Sequence, residues 1–409
     1  MSVLMGRSPA VALRYLMAIQ LLSMGAMEMS GPFWPLHLRE LAPMSAATLA
    51  WVSMAVYAGP LLMTMLTAPW WGRLGDQTGH KPMVVRALLA LAVSQLMAAW
   101  TDSVTVVLLA RLIQGALGGF IATAQAYGAG LATPAQRSSL MARLQVATAM
   151  GSALGPWLGG LLFDLWGFWI VNLTTALVCV LCALLAAVAL PFVKPAAPTD
   201  RQRASSKPVA PTAAERPALQ AFQGLLLGIL LVQAGKIMPQ AFFAVYADQV
   251  LHANASFTGL CYGATALGLC IAAPLWARAF AALAPEQVLQ RVKWITLACA
   301  ATLALQSMSH VPAWFVAARL LWGVFLGALL PVFYTLLSRQ ADGHRQGWVL
   351  GAGNSAAKAG ALLGTAAGAL AMGWLPISEV FWPNAAVYLI VAAALHGLQR
   401  RSDTREAAS

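Results

Sequence analysis

The sequence predicts an all-α membrane protein of twelve transmembrane helices, arranged as two pseudo-symmetric six-helix bundles. Three observations predict it. Hydrophobic residues make up 60% of the 409 and charged residues only 9%, whereas a soluble domain is about a quarter charged. The apolar residues gather into twelve runs, each long enough for a bilayer core of about 30 Å. The second half of the chain repeats features of the first at a nearly constant offset.

The runs place spans at 12–37, 48–70, 83–101, 104–130, 138–162, 167–191, 219–246, 256–277, 288–308, 312–338, 346–373 and 377–398. Of the 25 Lys and Arg residues, 20 fall in the odd-numbered loops, the two tails or the span ends that adjoin them, and only Arg39 falls on the other side. By the positive-inside rule both termini are cytoplasmic, and the net charge of +12 orients the chain rather than marking a nucleic-acid binder. Span 1 has no cleavage-site pattern and exceeds a signal-peptide core, so it is read as retained. Cys179 and Cys182 form a CxxC within span 6. One helical turn apart among apolar residues, they read as small buried hydrophobes rather than metal or redox ligands.

Residues 192–217, "FVKPAAPTDRQRASSKPVAPTAAERP", break the apolar pattern with Pro, Ser and charge. The expected organisation is therefore an N-terminal bundle (1–191), a cytoplasmic linker (192–218), a C-terminal bundle (219–398) and a cytoplasmic tail (399–409). "LLARLIQGALGG" (108–119) matches "VAARLLWGVFLG" (316–327), aligning Arg111 with Arg319. "GSALGPWLGG" (151–160) matches "GALLGTAAGA" (360–369), and "APWWGR" (68–73) matches "APLWAR" (273–278). Six spans per half make this a parallel repeat, and transporters built this way hold substrate near mid-membrane between the repeats.

Three motifs stand in particular spans. The loop "GRLGDQTGHKP" (72–82) carries Gly72, Gly75 and Gly79, which permit a tight turn, together with Asp76 and Lys81. "RLIQG" (111–115) lies in span 4, and "GSALGPWLGG" (151–160) in span 5. These resemble the signature loop, the second motif and the drug-exporter motif of the major facilitator superfamily, with His80 where the family usually has Arg. The resemblance covers the whole chain. It implies a rocker-switch carrier in which Gly72, Asp76, Gly79, Lys81 and Arg137 form a cytoplasmic latch of the outward-open state. It implies that Arg111 takes part in proton coupling, and that Gly151, Gly155, Pro156 and Gly159 form a bend and close-packing surface in span 5. Close packing by GxxxG explains those glycines equally well. The second-half copy of the loop has Ala281 near the place of Asp76, so the latch is asymmetric.

Of the 13 acidic residues, Glu28 alone falls well inside a span rather than at its end, in "EMSGPFWPL" (28–36). A carboxylate at that depth faces a cavity or a partner. Pro32 has no N–H for the carbonyl of residue 28, so span 1 is expected to break there, against protein or a watery cavity. At the 208 offset Glu28 falls on Lys236, which is followed by Pro239. Away from their ends the spans then hold four cations, Arg111, Lys236, Arg319 and Lys358, against one acid. Glu28 and Arg111 are expected to couple protons. Lys236, Arg319 and Lys358, with the polar-tipped aromatics Trp34 and Tyr127, are expected to line the substrate cavity.

The excess of cations favours an anionic or chelating substrate. "EMSGPFWPL" also looks like span 1 of the branch that exports bacterial siderophores. The expected function is therefore a secondary active exporter in the bacterial inner membrane, a monomer moving a small organic molecule by proton antiport and alternating access. A siderophore is the first candidate cargo. The alternatives are a broad-specificity drug:proton antiporter and a proton-coupled importer of an organic acid. No cofactor or nucleotide is implied, because the glycine strings lack GK[ST] and lie within spans. Paired acids, metal clusters and a nucleophile with its base are all missing from the pattern, so the chain is not read as an enzyme.

Overall fold

The computed structural model describes residues 9–192, 216–281, 283–309, 311–339 and 346–406. Nearly all of them are helical, because a backbone in lipid must satisfy its own polar groups. Span 1 is Pro9–Ser30, a 3₁₀ turn at Gly31–Phe33 and Trp34–Leu41. Span 2 is Ala46–Thr78 and span 3 is His80–Ala99. Span 4 is Val104–Leu117 followed by Phe120–Leu131, span 5 is Pro134–Trp166 and span 6 is Phe168–Ala189. Span 7 is Arg216–Ile237, a 3₁₀ turn at Met238–Ala241 and Phe243–Gln249. Spans 8 to 12 are Ala255–Ala281, Pro285–Met308, Pro312–Arg339, Gln346–Trp374 and Phe381–Glu406. Eleven of these are long and apolar enough to cross a membrane. Gln346–Trp374 has the length, 29 residues, but its apolar character rests on Ala and Gly around Lys358.

Proline explains the two 3₁₀ turns. Pro32 and Pro35 lack the N–H groups that would bond the carbonyls of Glu28 and Gly31, and the helix tightens between them. Tyr57 of span 2 then donates its hydroxyl to the free Gly31 carbonyl at 2.7 Å. Pro239 does the same to span 7. The expected break in span 1 is thus present, with a copy in span 7.

Other details depart from expectation. Span 4 is interrupted at Gly118 and Gly119, where Gly119 has φ 85°, a left-handed value that favours glycine. Span 5 stays one helix through Pro156, so the expected bend is not a break. The 72–82 loop is helical up to Thr78, and the chain reverses at Gly79 alone, with φ 93°. Gly72 makes no close approach, since a Cβ there would meet nothing within 4 Å. The last helix runs on to Glu406, through most of the expected tail, and residues 407–409 lie outside the described ones. Most of the expected linker, 193–215, lies outside them too.

Two apolar clusters hold the fold. One, in the N-terminal half and nearer the face that carries both chain ends, joins Leu16, Val84, Leu88, Tyr127, Leu144, Cys179 and Cys182. The two cysteines are buried and unbonded to each other. The other cluster runs through the C-terminal half from Leu225, Val292 and Leu337 to Phe242, Phe243, Phe315 and Phe381, and takes in Phe33 and Trp34 of the N-terminal half.

Span 5 fits against span 1 through its glycines. A Cβ on Gly155 would stand 2.3 Å from the Gly25 carbonyl oxygen, and one on Gly159 would stand 2.1 Å from that of Met29. Gly159→Ala is expected to lower the melting temperature of the detergent-purified protein, by overpacking of about 1–3 kcal/mol. Gly72→Ala is expected to leave it unchanged or raise it, since alanine favours an open helical position. Equal melting temperatures for the two variants would contradict the packing described.

Candidate functional site

A cavity walled by charged and polar side chains lies between the halves. It holds about 390 Å³ and is lined from spans 1, 5, 7, 8 and 10, including Glu28, Pro156, Lys236, Tyr262, Arg319 and Trp322. Glu28 and Lys236 face it from equivalent places in the two halves. Among the described residues the Glu28 carboxylate makes no hydrogen bond, and no base stands within 4.0 Å of it. Lys236 across the cavity and Arg111 in its own half both act on it electrostatically.

Arg319 is 1% exposed. Its guanidinium carbon stands 3.7 Å from the ring centre of Phe243. The rings of Tyr262, Phe315, Trp322 and Phe381 lie between 5.5 and 5.7 Å away. Nε and Nη2 have no hydrogen-bond partner. Ring faces compensate a desolvated cation by about 2 kcal/mol, less than a full ion pair with hydrogen bonds provides. The site therefore has unused N–H donors in a cage that excludes water.

The other expected cavity residues lie elsewhere. Trp34 is fully buried, 4.9 Å edge-on to Phe168. Tyr127 is in the N-terminal cluster and donates to the Pro191 carbonyl at 2.8 Å. Lys358 is half-buried on span 11 and does not line the cavity. Arg111 is also off the cavity wall. Its Nε donates to the Val56 carbonyl at 3.0 Å, and Nη1 donates to Gln114 Oε1 at 2.5 Å. Val56 lies four residues before Pro60, so this is the carbonyl that Pro60 leaves without a partner. Arg111 thus serves the backbone of span 2 while its charge reaches Glu28.

The sequence reading missed the walls supplied by spans 5 and 8. Gln145, Thr148 and Ser152 from span 5 and Tyr262, Thr265 and Cys270 from span 8 line the cavity. Their spacing of three to five residues is that of one helix face, a polar stripe that was available as a signal.

The cavity is closed on the face opposite the chain ends. Arg39 pairs with Asp248 at 2.5 Å across the halves. Asp164, at the end of span 5, accepts from the backbone N–H groups of Ala255 (2.9 Å) and Ser256 (2.8 Å) and from the Ser256 hydroxyl. It caps the first turn of span 8, where a negative charge is favoured. Below these ties the helices touch backbone to backbone. A Cβ on Gly160 would meet the Ala255 carbonyl oxygen at 2.3 Å, and one on Gly259 that of Pro156 at 2.1 Å. On the face with the chain ends, the expected partners Asp76 and Arg137 are apart. Arg137 donates to the Ala129 carbonyl at 3.2 Å, and Asp76 is 76% exposed, 3.7 Å from His80. Lys81 lines a separate groove.

Arg111→Met is expected to destabilise the protein by about 1–3 kcal/mol, through a carbonyl left unpaired. Adding Pro60→Ala restores an N–H to Val56 and is expected to recover part of the melting temperature. No recovery would argue against this role. Asp164→Ala is expected to increase thiol labelling of a cysteine placed at Tyr262 from the face opposite the chain ends. Unchanged labelling would show that the tie does not hold the closure.

The family model for the Major Facilitator Superfamily matches residues 16–289 and 225–408. The "Uncharacterized MFS-type transporter YuxJ" of Bacillus subtilis is 28% identical over 383 residues, covering 92% of this chain and 96% of that protein. The "Staphyloferrin B transporter" of Staphylococcus aureus is 26% identical over 369 residues, 87% of this chain and 85% of that protein. The "Multidrug resistance protein MdtG" of Citrobacter koseri is 28% identical over 383 residues, 91% of each. Among solved structures, a bacterial homologue of the human lysosomal transporter Spinster, inward-facing and unoccupied, superposes with a TM-score of 0.72 at 13% identity. It covers 96% of this chain and 97% of that one. The human organic anion transporter MFSD10 superposes at 0.65 and 18% identity, covering 95% and 100%. With twelve helices in two bundles around a central cavity and a family match over nearly all of its length, the chain belongs to the major facilitator superfamily of membrane transporters.

Proposed function

We propose that the protein is a secondary active exporter that moves a small anionic organic molecule out of a bacterial cell in exchange for protons. It would sit in the inner membrane as a monomer, with both termini cytoplasmic, so the cavity described above would be the inward-facing state. The observation that carries this reading is an unpaired carboxylate, Glu28, sharing one cavity with Lys236 and with the only partly compensated guanidinium of Arg319. Cargo enters from the cytoplasm and places its anionic oxygens against Lys236 and Arg319, while the Tyr262 and Trp322 rings on the cavity wall pack its apolar part. Glu28 then acts as the proton carrier, with its charge balanced between Arg111 and Lys236. Protonation removes one charge from a low-dielectric site and shifts the balance between the two bundle arrangements. After the change of access, the latch of Asp76 and Arg137 would close the cytoplasmic face.

A siderophore is the favoured cargo. Oxygen-rich chelators suit the two cations, and a relative of similar length is a staphyloferrin B transporter. Broad drug efflux is the second reading, supported by the MdtG relatives and by the apolar and aromatic part of the wall. Deleting the gene and profiling the medium by mass spectrometry separates the two. A siderophore exporter leaves one missing acidic chelator, and a drug exporter leaves growth sensitivity to several unrelated compounds. Accumulation in inverted rather than right-side-out vesicles separates export from import.

Glu28→Gln is expected to abolish uphill movement driven by a pH gradient, lowering it at least tenfold, while downhill exchange of cargo survives. Normal gradient-driven transport by this variant would remove Glu28 from the coupling step.

A further inference from the structure

A second cavity lies on the lipid-facing side of the N-terminal bundle, between spans 3, 4 and 6. It holds about 670 Å³ and is lined by Val85, Leu89, Val93, Ile113, Leu117 and Phe192, with Lys81 and Arg86 at the end nearer the chain ends. Its wall on span 3 runs from Lys81 to Val93, about 18 Å along the helix at 1.5 Å per residue. One leaflet of a bilayer core is about 15 Å deep. The groove therefore has the depth, the apolar wall and the polar end of a single leaflet.

Arg86 is held in place but not used up. Its Nη2 donates to the Gly118 carbonyl at 3.0 Å. Its guanidinium carbon lies 3.5 Å from the Trp71 ring centre. The Trp71 indole in turn donates to the Ala116 carbonyl at 2.6 Å. The two side chains thus cap carbonyls at the span 4 break, where Gly119 turns the chain out of the helix. The remaining nitrogens, Nε and Nη1, are buried and have no partner. A fixed guanidinium with spare donors, a lysine beside it and an apolar channel leading away from both match one kind of molecule in a membrane.

We propose that this groove holds an anionic phospholipid. Its phosphate accepts from Arg86 Nε and Nη1 and pairs with Lys81, and one acyl chain lies along Leu89, Val93 and Ile113. Each basic residue at the membrane surface adds affinity for acidic headgroups, and apolar contact with the chain holds any phospholipid. Headgroup charge therefore sets preference, while the groove sets retention. Because Arg86 also caps the span 4 break, the lipid would steady the joint between the two pieces of span 4.

The full chain, purified in detergent, would be offered phosphatidylglycerol and phosphatidylcholine with identical acyl chains, and the retained lipid counted by native mass spectrometry. The expected result is about tenfold preferential retention of phosphatidylglycerol. Lys81→Gln is expected to reduce the preference severalfold while leaving phosphatidylcholine retention unchanged. Leu89→Trp with Val93→Trp fills the channel from positions that are 44% and 51% exposed, and is expected to lose retention of both lipids with the melting temperature intact. Equal retention of the two lipids by the unaltered protein would overturn the proposal. So would retention unaffected by the two tryptophans. A photo-crosslink from position 89 to the chain after Phe192, with no lipid retained, would assign the groove to that segment and also overturn it. These outcomes do not depend on any transported cargo.

Discussion

A proline in a membrane helix removes one N–H, and the carbonyl four residues earlier must find another donor where water is scarce. Much of this structure follows from how those carbonyls are served. Pro35 frees the Gly31 carbonyl, which takes the Tyr57 hydroxyl. Pro60 frees the Val56 carbonyl, which takes Arg111. The result ties span 1 to span 2 and span 2 to span 4 through backbone acceptors rather than ion pairs. These ties leave Glu28 unpaired at the end of the unbroken part of span 1, where the helix tightens. They also place the charge of Arg111 near that carboxylate without spending it in a salt bridge.

The same economy explains why the charged groups of the cavity remain available. A buried ion pair would neutralise Glu28 and Lys236 against each other and leave little to respond to cargo or protons. Here each group faces the cavity from its own half. Arg319 is held by aromatic faces, which compensate its charge partly and occupy none of its N–H donors. The two halves are copies in fold and opposite in charge at the equivalent position, an acid on span 1 and a base on span 7.

Much of the fold could be read from the chain. Apolar runs placed a helix at each of the twelve expected spans, prolines gave the breaks in spans 1 and 7, and the repeat gave the two bundles. What hydropathy does not encode is the direction each helix face points. In a bilayer, the faces toward lipid and toward protein are equally apolar. Trp34 is thus expected on a cavity-lining helix but lies on its packed side, while Tyr127 and Lys358 stand on spans 4 and 11, which do not line the cavity. The polar stripes of spans 5 and 8 carry that directional information, in the spacing of Gln145, Thr148 and Ser152 and of Tyr262 and Thr265. The span 4 break was less legible, since Gly118 and Gly119 sit in a run that reads as continuous packing glycine. Only the left-handed φ at Gly119 separates the two meanings.

The seam between spans 5 and 8 has one more property. It is made of glycines pressed against main-chain oxygens, those of Ala255 and Pro156 among them. When the seam parts, those oxygens become the newly uncovered lining, and each carries partial negative charge with a lone pair to spare. On the function proposed above, an oxyanion arriving at that threshold would meet repulsion and hydrating water where it had met guanidinium and ammonium groups. Opening the gate would then loosen its own passenger, and departure would need no separate trigger.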